Sequence, residues 1–573
     1  MGEILEKHRL VTALLCVLLV PHAHAIAPEA VFSEGGMVAS RSKLASEVGA
    51  DVLRRGGNAV DAAVAVGFAL AVTYPSAGNV GGGGFMVIRM ADGTVITNDH
   101  REKAPLAATR DMYLDEDGNV VPELSTHSHL AVGVPGTVDG LLDVLERFGT
   151  MSRREVLRPA VRLAERGFAL DLDTARSFER RAPQFAKHPA SAEIFAKKGG
   201  ETYRRGEVFK QKDLAAVLRR IQRQGREGFY AGRTADLIVA EMERGGGLIT
   251  HEDLATYDSV WREPIRGTYR GHEIISMPPP SSGGVLLVQM LNMFEPYDVA
   301  AMGYGSAELV HLMIEGERRA YADRAEHLGD PDFHDVPVGM LTDKAYAAKR
   351  FADFDAARAS RSEDIGPGGY EDRESLETTH ASVIDKDGNA VSYTTTLNLS
   401  YGSKIVAAGT GILLNNEMDD FSAKPDTPNF YGLVGREANA IEPGKRMLSS
   451  MTPTIVVKDG ETLLVTGSPG GSTIITTTLQ VIMNVVDHGM DVSDAVSSAR
   501  FHHQWQPDRV IYERRGLSPD TVKRLEAMGH ENLVVMPFGR GIGDVNSVMR
   551  VEGGFTGMAD PRNAGGAEGA DGP

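Results

Sequence analysis

The spacing of apolar and polar positions divides the chain into three textures. Between Ser40 and Thr73 it predicts two helices, separated by Arg54-Arg-Gly-Gly-Asn58. The second, Ala59–Val72, is small and apolar on all sides, the pattern of a helix enclosed in a core. Gly81–Gly84 then leads into Phe85–Met90, a strand that turns back at Asp92-Gly93. From about Val138 to Ala359, charged amphipathic runs such as Leu142–Phe148 predict mainly helix. Residues 360–377 lose any periodic apolar face and are rich in Glu, Asp, Arg and Gly, the composition of an exposed flexible segment. Strands begin directly behind it. His380–Ile384 and Ala390–Leu397 flank a turn at Asp385–Asn389, and Thr454–Val457 and Leu463–Thr466 flank Lys458-Asp-Gly-Glu461. A helix, Thr473–Val486, follows Gly467–Ser472, and the Gly- and Ala-rich tail from Arg562 to Pro573 is expected to be disordered. No internal repeat is evident.

At 573 residues, 42% hydrophobic and 24% charged, the chain has the composition of a soluble protein with a large core or several domains. A net charge of −18 argues against nucleic acid or an anionic membrane as the main partner. Lys7 and Arg9 precede a short apolar run, Leu10–Val20, which ends in Pro21-His-Ala-His-Ala25. This is the layout of a signal peptide cut after Ala25, and it predicts a secreted, periplasmic protein. Glu3 and Glu6 weaken the positive start and leave an uncleaved anchor as the alternative. No other stretch is long and apolar enough to span a bilayer. The only cysteine, Cys16, lies inside that segment, so the mature chain is left with hydroxyls, amines, carboxylates and histidines for chemistry. His502-His503 points to opposite faces of a strand and has no further ligand at suitable spacing; neither a metal nor a cofactor is expected.

Three glycine-rich segments, Gly81–Gly84, Gly133–Gly136 and Gly467–Ser472, lack the strand-to-helix G-x-G-x-x-G or Gly-Lys-Ser/Thr patterns of phosphate loops. The third differs in placement. Gly470 and Gly471 fall between a buried strand and a helix N-terminus, where free N–H groups suit a developing oxyanion. A threonine hydroxyl inside a chain is a weak nucleophile, but at a chain's N-terminus its own α-amine can take the hydroxyl proton. The Glu377-Thr378 bond, with a flexible acidic stretch before it and a strand behind it, is a junction where such a terminus could be exposed. Read alone, Thr378-Thr379 is the start of an edge strand.

Several motifs bear on that choice. Thr378–Val383, Gly388–Ser392, Thr394–Asn398 and Tyr401-Gly402 closely resemble the signature of the γ-glutamyltranspeptidases (glutathione hydrolases), an N-terminal-nucleophile hydrolase family. Asp99–Pro105, Leu413–Ser422, Lys445–Thr454, Gly467–Ser472 and Arg500–Trp505 are similar to that family in the same order, so the resemblance runs from about Ala27 to Arg562.

The resemblance implies a four-layer αββα sandwich and a precursor that cuts itself at Glu377-Thr378. Residues 1–25 would be the signal, 26–377 the large subunit and 378–573 the small catalytic subunit of a heterodimer. It makes Thr378 the nucleophile, Thr396 the hydroxyl that orients it, and Gly470 and Gly471 the oxyanion hole. Arg101, with Ser449 and Ser450, would hold the α-carboxylate of a γ-glutamyl group. Asn398, Glu417 and Asp420 would hold its α-ammonium. Position 417 is Gln or Glu among relatives, and Glu adds a charge without changing the reaction class. Pro425–Gly435 resembles a lid loop with Tyr431 as its gate, which favours glutathione over the related cephalosporin acylases. The implied substrates are glutathione and other γ-glutamyl compounds, with water, an amino acid or a dipeptide as acceptor. A glutaryl-type β-lactam acylase and a non-catalytic secreted binding homologue are the alternatives.

Overall fold

The computed structural model describes residues 27–197, 201–365 and 378–571. The expected signal segment, and residues 366–377 of the stretch expected to be flexible, lie outside the described residues. No helix among the described residues is long and apolar enough to cross a membrane.

Two seven-stranded sheets, antiparallel throughout, form the centre. One runs Val31–Ser33, Gly554–Ala559, Asn546–Val551, Glu461–Thr466, Thr454–Lys458, His272–Ser276, Ile265–Tyr269. The other runs Gly566–Gly569, Gly36–Ser40, Thr379–Asp385, Ala390–Thr396, Gly83–Arg89, Val95–His100, Val260–Arg262. Their facing sides close on one another through Met37, Val87, Ile384, Ile455, Val465 and Phe555. Because side chains alternate along a strand, the neighbouring residues Val383 and Val391 point the other way, onto the helices Lys43–Arg54 and Ala59–Thr73. Ile274, Val456 and Leu464 likewise pack against the helices Gly283–Phe294, Ala307–His327 and Ile474–Val486. The order helix, sheet, sheet, helix is the four-layer α/β sandwich expected from the sequence.

The wholly apolar helix is buried along its entire length, and Asn58 starts it with a capping box: its side chain accepts from Val60 N and Asp61 N while Asp61 accepts from Asn58 N. Each sheet takes strands from both sides of residues 366–377, so a cut in that interval would leave the two parts interleaved.

The tail departs from expectation. Gly566–Gly569 is an edge strand paired with Gly36–Ser40, and Asp571 accepts hydrogen bonds from Ser33 Oγ, Glu34 N and Gly35 N. Its small residues, taken from composition as a sign of disorder, allow close approach instead. A Cβ on Gly569 would sit 2.6 Å from Ser33 Cβ.

Burial holds five histidines neutral, His100, His380, His502 and His530 near pKa 3 and His503 near 4. These values lie below that of an unfolded histidine, so at these rings unfolding takes up protons between about pH 4 and 6.5, and their contribution to stability falls as pH drops through that window. Burial also raises Glu102 and Asp544 to about 7 and Asp419 to about 6, which acts in the opposite sense. Burial raises Glu317, Glu417, Asp420 and Asp330 in the same way, so the buried rings and the buried acids pull stability in opposite directions as pH falls.

Candidate active site

The strand pair Thr379–Asp385 and Ala390–Thr396 places Thr379 opposite Thr395, so Thr378 stands at the strand's open end beside Thr396. Thr378 is 4% exposed, and its hydroxyl lies 3.5 Å from Thr396 Oγ1, at the outer limit of a hydrogen bond. Thr396 Oγ1 in turn accepts from Asn398 N at 2.8 Å. Asn398 adopts φ +70°, a left-handed turn that sends its amide to Asn416 O and leaves its carbonyl to accept from Tyr431 Oη at 2.7 Å. The glycines at 81–84 now have a packing reason. A Cβ on Gly82 would sit 2.2 Å from Thr396 O, and one on Gly83 2.4 Å from Glu102 Oε2.

Arg101 follows directly from the strand Val95–His100 and is fully buried. Its Nη1 bonds Glu417 and lies 3.8 Å from Glu102 Oε2; its Nη2 bonds Asp420 at 2.6 Å; its Nε donates to Met447 O at 3.2 Å. Glu417 and Asp420 sit on one 3-10 turn, Glu417–Asp420, whose three residues per turn put positions i and i+3 on the side facing the guanidinium. Burial works against the charge of Arg101, but Glu417, Asp420 and Glu102 hold it firmly protonated. The same burial raises all three acids, and Arg101 only partly reverses this. The two tendencies conflict at the Arg101–Glu417 contact. One guanidinium cannot balance three buried carboxylates, so the cluster retains protons and Glu417 titrates well above the ordinary carboxylate range.

Ser449 and Ser450 line the same space. The oxyanion candidates precede the helix Ile474–Val486, with Gly470 at φ +142° and Gly471 at φ +55°, conformations that favour glycine. A Cβ on Gly471 would lie 2.4 Å from the Tyr431 ring. Pro425–Gly435 contributes Tyr431 and Leu433 to the pocket wall. Phe430 N donates to Asp419 Oδ2, Asn429 Nδ2 to Asp420 Oδ1, and Gln504 Nε2 to the Tyr431 carbonyl.

One cavity collects every site residue expected from the sequence except Gly470, which adjoins its wall, and Glu377, which lies outside the described residues. Leu433, Met451 and Ile474 complete it with apolar surface. Glu102, Asp419 and the apolar wall were not singled out by sequence. Glu102 and Asp419 did carry a signal, as the neighbours of Arg101 in the Asp99–Pro105 motif and of Asp420 in the Leu413–Ser422 motif.

Among the described residues, His311, Glu315 and His530 bring three potential metal-ligand atoms within 4.8 Å of one another. They are already committed elsewhere. His311 Nε2 donates to Asp355 O, which leaves its Nδ1 to accept from His530 Nε2, while Glu315 is paired with Arg318 and Arg319. His502 and His503, as expected, make hydrogen bonds, to Thr476 and Gln504 and to Asp508 respectively.

The family model described as gamma-glutamyltranspeptidase matches residues 45–570. The glutathione hydrolase proenzyme of Escherichia coli is 51% identical over 535 residues, 93% of this chain and 91% of that protein. The crystal structure of a cephalosporin acylase from Bacillus halodurans superposes with a TM-score of 0.85 at 26% identity, covering 97% of this chain and 99% of that one. A gamma-glutamyltranspeptidase structure from Helicobacter pylori covers 60% of this chain and 97% of its own, at 47% identity and a TM-score of 0.57.

Proposed function

The chain belongs to the gamma-glutamyltranspeptidase family, and we propose that it is a self-processing glutathione hydrolase and γ-glutamyl transferase with Thr378 as its nucleophile. What supports this most is one small cavity holding a threonine hydroxyl at a strand start, a buried guanidinium and paired acids. A γ-glutamyl head needs both signs of charge, because it carries a carboxylate and an ammonium on one carbon. Arg101, Ser449 and Ser450 suit the first, and Asn398, Glu417 and Asp420 the second.

In processing, Thr378 Oγ1 attacks the carbonyl carbon of Glu377, the peptide nitrogen leaves as the α-amine of Thr378, and water opens the resulting ester. Residues 26–377 and 378–573 then form a heterodimer. In turnover, that amine, with an ordinary pKa of about 7.7–8.0, takes the proton from Thr378 Oγ1 as the oxygen attacks the γ-glutamyl amide. The Gly470 and Gly471 N–H groups face the oxyanion, and cysteinylglycine leaves. Water or the amine of an amino acid or dipeptide then removes the glutamyl group. The chain is proposed to work in the periplasm, its first 25 residues serving as the export signal.

The likeness to a cephalosporin acylase supports a second reading, a glutaryl acylase on the same scaffold. A glutaryl group has no ammonium, so Glu417 and Asp420 would meet no cation of the substrate. Purified protein is expected to separate into two fragments, the smaller beginning Thr378-Thr379-His380, and to cleave γ-glutamyl anilide far faster than glutaryl anilide. A single intact chain that releases glutamate, or a preference for the glutaryl compound, would overturn the proposal.

A further inference from the structure

The loop carrying Ser449 and Ser450 is held from outside the cavity by the segment Pro278–Gly283. Ser449 N donates to Pro280 O at 2.8 Å; Ser282 gives both its N–H and its hydroxyl to Ser449 O, at 2.8 and 2.7 Å; Ser281 Oγ donates to Met451 O at 2.6 Å. Arg324, from the helix Ala307–His327, enters this corner. Its Nε donates to Ser282 Oγ at 3.0 Å and its Nη2 to Ser450 Oγ at 3.4 Å.

Arg324 is only 4% exposed, and among the described residues no carboxylate lies within 4 Å of it. This sets it apart from Arg318 and Arg319 on the same helix, both paired with Glu315. A buried guanidinium resting on neutral hydroxyls is costly unless an anion comes near. Its charged neighbours, Asp420 and Arg101, are both in the site. Burial lowers Arg324 to about 10, which still leaves it charged at neutral pH.

We infer that Arg324 is a positioning residue for the substrate's α-carboxylate, acting through Ser450. The directions of the hydrogen bonds give the reason. Arg324 donates into the Ser450 oxygen, so the Ser450 proton is free to point at an anion in the cavity, and the nearby positive charge strengthens that donation. Ser282 is set the same way: it accepts from Arg324 and spends its own proton on Ser449 O. One guanidinium thus fixes the polarity of two hydroxyls, and the carboxylate meets the direct charge of Arg101 and the relayed charge of Arg324.

The inference rests on the γ-glutamyl reading, and two anilides separate its failure from that of the reading. One carries L-γ-glutamate; the other carries 4-aminobutyrate, the same chain without the α-carboxylate. Wild-type protein that does not prefer the first would sink the γ-glutamyl reading itself. In Arg324→Gln the kcat/KM preference is expected to shrink roughly 10- to 100-fold, as for loss of a charge-assisted bond, through a raised KM for the γ-glutamyl compound. Arg324→Lys should recover part of it. In a Ser450→Ala background, Arg324→Lys should cost little more, because the relay is already cut. An equal fall for both anilides, or failure of both variants to accumulate as processed protein, would make Arg324 a residue of the fold and overturn the inference.

Discussion

Thr378→Ala protein is expected to remain one chain and to release no measurable glutamate from glutathione. Wild-type protein under the same conditions should be cut and active. The variant loses both activities because one oxygen is proposed to perform both, first on the Glu377 carbonyl and then on the substrate amide. The fold should survive, since removing a hydroxyl and a methyl from a residue at a strand's open end touches neither core. Its hydroxyl contact with Thr396, at 3.5 Å, is too long to carry much stability. The loss in kcat/KM should exceed about 10⁴-fold, the scale on which removing a nucleophile differs from weakening binding. Thr378→Ser keeps the hydroxyl and should process and turn over more slowly. Cleavage in the alanine variant at the same bond would assign the cut to another group. Hydrolysis by the uncut alanine variant would remove Thr378 from the mechanism altogether.

The elements that read well from sequence were those whose pattern is local. The helix at Ala59 announces itself by its cap and uninterrupted apolar run, and the strands on either side of Asp385–Asn389 by their length and turn. The site was legible by a different route, through motifs spread over most of the chain. Without that resemblance, Glu417 and Asp420 read as a solvated turn; in the structure they face a buried arginine 316 and 319 positions away. Arg324 escaped notice for the same reason. Nothing near it in the sequence tells of Ser450, 126 residues on. The tail misled because glycine and alanine carry no periodic signal, though their lack of bulk is what admits an edge strand there.

Removing Arg101 should produce the second large effect and test the site's charge balance. In the free protein the guanidinium is bonded to Glu417 and Asp420, the two acids assigned here to the substrate's ammonium. On the proposed reading a γ-glutamyl head would bind by exchange: its carboxylate would take a share of Arg101, and its ammonium the acids that Arg101 gives up. With glutamine at 101 both halves of the exchange fail. The carboxylate loses its cation, and Glu102, Glu417 and Asp420, already raised by burial, lose the charge that kept them from rising further. Arg101→Gln should lower kcat/KM for γ-glutamyl anilide by about 10²- to 10³-fold, the range for truncating a buried charge pair. The pH dependence carries the sharper test. Acids that titrate higher must be ionised before they can hold an ammonium, so the acid limb of the variant's kcat/KM profile should move to higher pH. Arg101→Lys should shift that limb less, because it keeps a charge, yet it should still bind poorly, because one ammonium cannot span Glu417, Asp420 and the Met447 carbonyl together. Cleavage at Glu377 should persist in both variants. An uncut Arg101→Gln chain would place Arg101 in the fold, and an unmoved acid limb would mean that the three acids do not depend on it for their charge.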